Sequence, residues 1–154
     1  MKSIISKTMT LVALAATLLS FTNFGGEGFE IYLNNKVVIQ KFGKSLDEVN
    51  NLRLNQSSAN SQLTVKYHHC GQVGRNRIIS IKDGQNKILK EWRFSDATSS
   101  VASPSTMNFN VKEILNLKKG NETTMKLYYA SSELPKGRLL TNIVVENNSI
   151  ARNK

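Results

Sequence analysis

Apolar and polar residues alternate along most of the chain, and the alternation is densest between Gln62 and Phe94. Within that stretch, Leu63, Val65 and Tyr67 are separated by polar or small residues. A period of two among β-branched and aromatic residues is typical of a strand with one buried face. Two further apolar runs follow before Phe94, so the stretch predicts a meander of three consecutive antiparallel strands.

The second and third strands of this predicted meander are separated by Asp83-Gly84. The pair favours a two-residue type I′ turn, because both central positions of that turn need a positive φ. The residues that would share a face are Arg77, Ile79 and Ile81 in the second strand, and Lys90, Trp92 and Phe94 in the third. A bulge or a solvated ammonium group would accommodate Lys90.

Shorter patterns on both sides of the meander predict the remaining strands and turns. Asn34-Asn35 favours a tight turn, and Ser45 with Glu48 has the spacing of a capping box that would start a helical turn over 46–50. Leu134–Gly137 predicts another turn. The strands predicted outside the meander are Phe29–Leu33, Lys36–Phe42, Leu52–Leu54, Met107–Phe109, Met125–Tyr129 and Arg138–Glu146.

Helical spacing appears in one short segment, where Val111, Ile114 and Leu115 would share a face after a cap at Asn110. The chain therefore contains about eight or nine short strands with one or two short helical turns. This pattern predicts an all-β fold, namely an antiparallel β-sandwich of immunoglobulin-like or jelly-roll-like type.

The N-terminal segment has the pattern of a secretory signal peptide. Lys2 and Lys7 precede an apolar run that is short for a bilayer-spanning helix, and polar, glycine-rich sequence follows it. Small residues at Ser20 and Thr22 permit cleavage after Thr22. We therefore predict a signal peptide at 1–22, one β-sandwich domain at 23–146 and a disordered polar tail at 147–154, with no transmembrane segment after cleavage.

The chain has a formal net charge of +10, and about +8 remains if the signal peptide is removed with its two lysines. A basic protein attracts anionic surfaces such as polysaccharide, lipid headgroups or nucleic acid. Export disfavours nucleic acid, so an anionic polysaccharide or another envelope component is the expected partner. Solubility alone is the alternative explanation for the charge.

Basic residues are concentrated in the predicted meander, where aromatic residues are interleaved with them. Basic residues with aromatic ones bind glycans or single-stranded nucleic acid by charge and stacking. The opposing explanation is that Tyr67, Trp92 and Phe94 face the core. The candidate binding residues are Lys66, Arg75, Arg77, Lys82, Lys90 and Arg93.

His68 and Cys70 form the pair with metal-ligand chemistry. In a continuous strand they would share a face, about 6.5–7 Å apart at their Cα atoms, while His69 would point the other way. A thiolate with an imidazole suits copper or zinc. A closed zinc site needs four ligands, so carboxylates, Met107 or Met125, or a second subunit would have to complete it. The alternative is a small buried cysteine without a metal, and no resident cofactor is predicted.

Cys70 is the only cysteine in the chain, so it has no partner for an internal disulfide. In an oxidising compartment an exposed thiol would allow a covalent homodimer through Cys70. Arg75 and Arg77 would lower its pKa if the fold brought them close, whereas a buried thiol would be inert.

The sequence favours a protein without enzymatic activity. Its two histidines are adjacent and its eleven acidic residues are scattered, so no triad or carboxylate pair is assigned by position. The chain also lacks an H-E-x-x-H motif, a glycine-rich phosphate loop and a dinucleotide fingerprint. A small hydrolase would need His68 or His69 in a cleft, with a nucleophile within hydrogen-bond distance.

Several stretches together resemble small secreted β-sandwich proteins of Bacteroidota-type bacteria, a group of unknown function. They are the signal segment, FEIYLNNKVVIQKFG, LTVKYHHCG, ISIKDGQNKILKEWRF and LYYASSELPKGRLL. The resemblance implies an envelope location and a β fold, without an activity. We therefore expect an exported, non-enzymatic binding or structural module of the periplasm or cell surface. The alternatives are a metal-handling protein that uses His68 and Cys70, and a small hydrolase.

Overall fold

The computed structural model describes residues 26–98, 105–118, 120 and 123–146. The predicted signal peptide at 1–22 and the predicted tail at 147–154 lie outside these residues. Within the described ranges, no helix is both long enough and apolar enough to cross a membrane.

Within the described residues, nine strands form two sheets that pack face to face, which confirms the predicted all-β sandwich. The first sheet has four antiparallel strands in the order β2-β1-β4-β7. Its strands are β1 (Gly28–Leu33), β2 (Lys36–Phe42), β4 (Gln62–His68) and β7 (Met107–Asn110).

The second sheet has five strands in the order β3-β9-β8-β5-β6. Its strands are β3 (Asn51–Leu54), β5 (Arg77–Lys82), β6 (Ile88–Phe94), β8 (Thr124–Ser131) and β9 (Leu134–Val145). The pairs within it are antiparallel except at one edge, where β3 runs parallel to β9. Two 3₁₀ turns, Gly43–Asp47 and Gln56–Ser58, and the short helix α1 (Val111–Leu115) complete the described elements.

The predicted three-stranded meander is wrong, because β4 and β5 lie in different sheets. Of the three strands predicted for the meander, only β5 and β6 pair with each other. Between β4 and β5 the chain adopts positive φ at Cys70, Gly71 and Asn76, which carries it from the first sheet to the second. Glycine adopts this conformation without penalty and asparagine does so more readily than most residues.

The core lies between the two sheets and follows the predicted alternation. Phe29, Ile31, Leu63 and Val65 on the first sheet face Ile79, Ile81, Leu127 and Ile143 on the second, and all eight are fully buried. The helix α1 adds its three apolar residues to the same cluster, as its spacing predicted. Trp92 and Phe94 pack against this cluster from β6, so they face the core as expected.

Two of the predicted turns have different positions from those expected. Asp83-Gly84 is not a two-residue type I′ turn, because the loop extends to Lys87 and the positive φ belongs to Asn86. The Asp83 carboxylate accepts from the backbone N–H groups of Gln85 and Lys87, which stabilises the longer loop. The turn expected at Leu134–Gly137 is also wrong, since the chain reverses before Leu134 and β9 begins there.

The tight turn at Asn34-Asn35 is confirmed, with φ of 49° and 65°. The helical turn expected over 46–50 begins earlier, at Gly43. Ser45 does not start it but bonds backward, accepting from the backbone N–H of Phe42 and donating to its carbonyl.

Candidate functional site

The outward-facing side chains of the four-stranded sheet form a mostly polar surface, which we call the outer face. Three rows of residues cross its strands, and the strand register defines them. The first row contains Asn108, Thr64, Tyr32 and Val37; the second contains Lys66, Glu30 and Gln40; the third contains His68, Gly28 and Phe42.

Glu30 is the centre of a hydrogen-bond network on this outer face. Its carboxylate accepts from the Tyr32 hydroxyl at 2.6 Å and from the Gln40 amide at 3.1 Å. The hydrogen bond to Glu30, with burial and the negative charge, raises the pKa of Tyr32 to about 12, so the phenol stays protonated. These contacts hold Glu30 and Tyr32 in place.

Lys66 is a half-buried cation on the same surface. Its ammonium lies 4.7 Å from the centroid of the Tyr32 ring and 3.5 Å from the Tyr32 hydroxyl oxygen. Among the residues that the structure describes, none forms an ion pair with it. A partly desolvated lysine held over an aromatic ring is therefore available to an anionic group from outside the protein.

Beside Lys66 the outer face contains an open depression of about 390 Å³, and every side chain that lines it has a polar group. The Asn108 side-chain carbonyl accepts from the Thr64 hydroxyl at 2.7 Å. The lining residues are Tyr32, Asn35, Gln62, Thr64, Lys66, Thr106 and Asn108. Amide, hydroxyl and ammonium groups thus converge on one site, where a polar ligand would be hydrogen-bonded from several sides.

Elsewhere on the outer face, in the third row, Phe42 presents an aromatic ring to solvent. The ring covers Gly28, where a Cβ would overlap the Phe42 Cδ1 atom and lie 2.7 Å from the Lys41 carbonyl oxygen. The His68 ring lies beside it, with centroids 5.2 Å apart. Phe42 remains 39% exposed, so one side of a ligand would contact an apolar surface there.

No family model and no curated protein sequence matches this chain.

The six predicted binding residues do not form one surface. Arg77 is buried, where it donates to the carbonyls of Ser95 and Ser105. Arg75, Lys90 and Arg93 form ion pairs with Glu133, Glu113 and Glu91 respectively. Lys82 lies over the Tyr128 ring on the second sheet, at 4.0 Å from its centroid. Lys66 alone belongs to the depression, so the others remain predictions without a common site.

The prediction that His68 and Cys70 share a face assumed a continuous strand, but β4 ends at His68. Cys70 lies in the following turn with a φ of 39°, so strand alternation does not place it on the face of His68. The described residues contain no group of three or more histidine, cysteine, aspartate or glutamate side chains that could hold a metal ion. Cys70 is exposed, so the expectation of a buried, inert thiol is wrong. The covalent dimer stays a prediction.

The two histidines lie in different environments, as the alternation of side chains predicted. His68 is on the outer face, where its Nε2 atom lies 3.9 Å from the nearer Glu30 oxygen and has no hydrogen-bond partner among the described residues. His69 is buried between the sheets. Its Nε2 atom lies 2.8 Å from the Tyr129 hydroxyl and 3.3 Å from the Ser131 hydroxyl.

A partly buried polar cluster around the Tyr67 hydroxyl lies beside His69 at this end of the sandwich. The Tyr67 hydroxyl donates to the Glu27 carboxylate and accepts from the Arg138 guanidinium, which also pairs with Glu27 at 3.2 Å. The ring of Tyr67 stacks on that of Tyr129, with centroids 4.2 Å apart. These polar groups form hydrogen bonds with one another, so the cluster stabilises the fold and needs no ligand to account for it.

Both histidines are expected to make the protein less stable in mild acid. Burial lowers the pKa of His69 and of His68, although Glu133 and Glu30 respectively raise it in part. The folded state therefore binds fewer protons than the unfolded chain below about pH 6.5, the ordinary pKa of histidine. The contribution of each histidine to the free energy of unfolding is fully present above that pH. It decreases as the pH falls below that value, by at most about 1.4 kcal/mol per pH unit for each histidine.

Urea unfolding between about pH 5 and pH 7.5 measures this slope. The double variant H68Q/H69Q should flatten it, and each single variant should remove part of it. A slope that is unchanged in the double variant would assign the acid sensitivity to other groups.

Sequence reasoning missed most of the residues that form the depression. Tyr32, Thr64 and Asn108 alternate with buried residues on three strands that are far apart in the sequence. Their polarity is ordinary for the solvent-facing side of a strand. Only the pairing of β1, β4 and β7 brings them into one row, so the sequence contained no signal that distinguished them.

Proposed function

We propose that this protein is an exported, non-enzymatic module of the bacterial periplasm or cell surface that binds an extracellular or envelope polysaccharide. The observation that carries the proposal is the depression on the outer face, which is lined by polar side chains, and the same face also exposes an aromatic ring. Sugars present many hydroxyl groups and apolar C–H faces, and this surface offers partners for both. The predicted signal peptide supports the location.

The scattered positions of the other basic residues argue against a membrane or nucleic-acid surface. Binding to closely spaced phosphates needs several cations on one face. In this protein Lys82 and Arg93 lie on the second sheet, and Arg77 is inside the sandwich. A site with one cation among neutral polar groups fits a sugar better than a phosphate backbone.

The metal and hydrolase alternatives receive less support. His68 and Cys70 lack a third donor of the usual types within the described ranges. His69 has the Ser131 hydroxyl at 3.3 Å, but Ser131 is 5% exposed and both residues lie on the inner side, away from the depression. Binding on the outer face is therefore the function that the geometry favours.

Retention by polysaccharides during native gel electrophoresis tests the proposal. Gels would contain hyaluronan, alginate, glucuronoxylan, arabinoxylan or dextran, and we expect at least one to retard the protein. N108A should weaken that retention by about tenfold, because it removes an amide from the depression and leaves the Thr64 hydroxyl without its acceptor. The control N142A changes an asparagine on β9, on the other sheet, and should retain the wild-type affinity.

Two outcomes would overturn the proposed function. One is that none of the five polysaccharides retards the protein. The other is that N108A and N142A bind equally well, which would place the contact elsewhere on the molecule. A folded state of N108A, checked by its thermal unfolding, excludes misfolding as the cause of a loss.

A further inference from the structure

We infer that the ligand is an acidic glycan in which a sugar carboxylate binds the Lys66 ammonium and a neighbouring sugar ring lies on Phe42. This inference rests on the proposed function and adds the chemical class of the ligand. Lys66 and Phe42 would therefore contact different sugars of one saccharide chain.

Lys66 determines the charge of the bound group. It is the cation of the depression and lies beside neutral amide and hydroxyl groups, including those of Asn108 and Thr106. The Asn108 amide N–H groups have no acceptor among the described residues, since the contact with Thr64 uses its carbonyl oxygen. The ammonium leans toward Tyr32 on β1 whereas Asn108 is on β7, so the two donors lie on opposite sides of β4, and each is a donor from which a carboxylate oxygen accepts.

Glu30 limits how much negative charge the ligand carries. It lies directly opposite Lys66 in the strand register, and its carboxylate is held by hydrogen bonds from Tyr32 and Gln40. Its charge is not neutralised by these donors, so it weakens the attraction of Lys66 for any anion and disfavours a second anionic group nearby. The face therefore fits a chain in which acidic sugars are separated by neutral ones, rather than a densely sulfated or phosphorylated chain.

Phe42 determines where the next part of the chain lies. Its backbone is two strands away from Lys66, but its ring extends back over Gly28 and lies 5.2 Å from the His68 ring, one row along β4 from Lys66. One row corresponds to about 7 Å along the strand, so a saccharide chain that binds Lys66 would reach the ring with its next sugar. Gly28 lets the Phe42 ring lie close to the sheet, and the C–H face of a pyranose would stack on its exposed side.

Lys82 provides a matched control for Lys66. It also lies over a tyrosine ring on the outward side of a central strand, but on the second sheet and outside the depression. K66M and K82M remove the same charge from the protein and leave comparable apolar stems. A difference between the two variants therefore measures position and not net charge.

The experiment takes each acidic polysaccharide that retards the protein and compares it with its carboxyl methyl ester. The ester keeps the sugar chain and removes the charge. We expect the wild-type protein and K82M to bind the free acid about tenfold more tightly than the ester, and K66M to bind both equally weakly. F42A should weaken binding to the acid and to the ester by a similar factor. Heparin should compete less well than hyaluronan, because its charge is denser.

The results distinguish a wrong carboxylate assignment from a wrong proposal of polysaccharide binding. Equal affinity for acid and ester, or retention by arabinoxylan and dextran alone, would overturn the carboxylate assignment while polysaccharide binding stands. Equal losses in K66M and K82M would show attraction to net charge and would also overturn it. Retention by none of the polysaccharides would overturn the proposed function itself.

Discussion

Replacing Tyr129 by alanine should lower the free energy of unfolding by about 3–5 kcal/mol, the usual cost of truncating a fully buried aromatic residue. Its ring is completely buried and stacks on Tyr67, with centroids 4.2 Å apart. The substitution removes this packing and also leaves the His69 Nε2 atom without its closest partner, the hydroxyl at 2.8 Å. Urea denaturation measures the change.

Two further variants separate packing from hydrogen bonding at this position. Y129F keeps the ring and should cost about 1–2 kcal/mol, the penalty for leaving one buried polar atom without its partner. Y128A changes the next residue on β8, which faces outward beneath Lys82, and should cost about 1 kcal/mol or less. A cost for Y129A no larger than that for Y128A would contradict the interior position of Tyr129.

Replacing Gly28 by alanine should disturb both stability and ligand binding. A Cβ at this position overlaps the Phe42 ring and lies 2.7 Å from the Lys41 carbonyl oxygen, so the ring must move and the pairing of β1 with β2 must adjust. We expect a loss of about 1–3 kcal/mol in the free energy of unfolding, as for other overpacked sites. We also expect weaker polysaccharide retention, because the displaced ring no longer forms the apolar part of the outer face.

Two controls distinguish the effects of Gly28 on the strand and on the ring. G26A adds the same methyl group where nothing lies within 4 Å, and it should leave stability and retention unchanged. F42A removes the exposed ring without crowding the backbone, so it should reduce retention with a smaller cost in stability. Wild-type retention in both G28A and F42A would exclude Phe42 from the binding surface.

Strand positions could be predicted because alternation is a local property of the chain. Leu63, Val65 and Tyr67 face the core as their spacing indicated, and so do Ile79 and Ile81. The partners of each strand were less predictable. The alternation of β4 and β5 is compatible with a hairpin, and only the backbone turn after His68 places the two strands in separate sheets.

The candidate sites were hard to predict for the same reason, because they depend on which strands pair. His68 and Cys70 were proposed as metal ligands because histidine and cysteine are rare in this chain and these two are close in sequence, but the strand ends between them. Tyr32, Lys66 and Asn108 come from three strands, and nothing in their residue types marks them as a group. Proximity in sequence was a poor guide, because a sheet brings together residues from distant strands.

Side-chain periodicity and local backbone preference were enough to predict the all-β class, the inward-facing residues of most strands and the tight turn at Asn34-Asn35. The strand order, the burial of Arg77 and the exposure of Cys70 followed only from the tertiary structure. So did the position of the depression. These features depend on which strands pair and how two sheets pack, and both are set by long-range burial that no short stretch of the chain encodes.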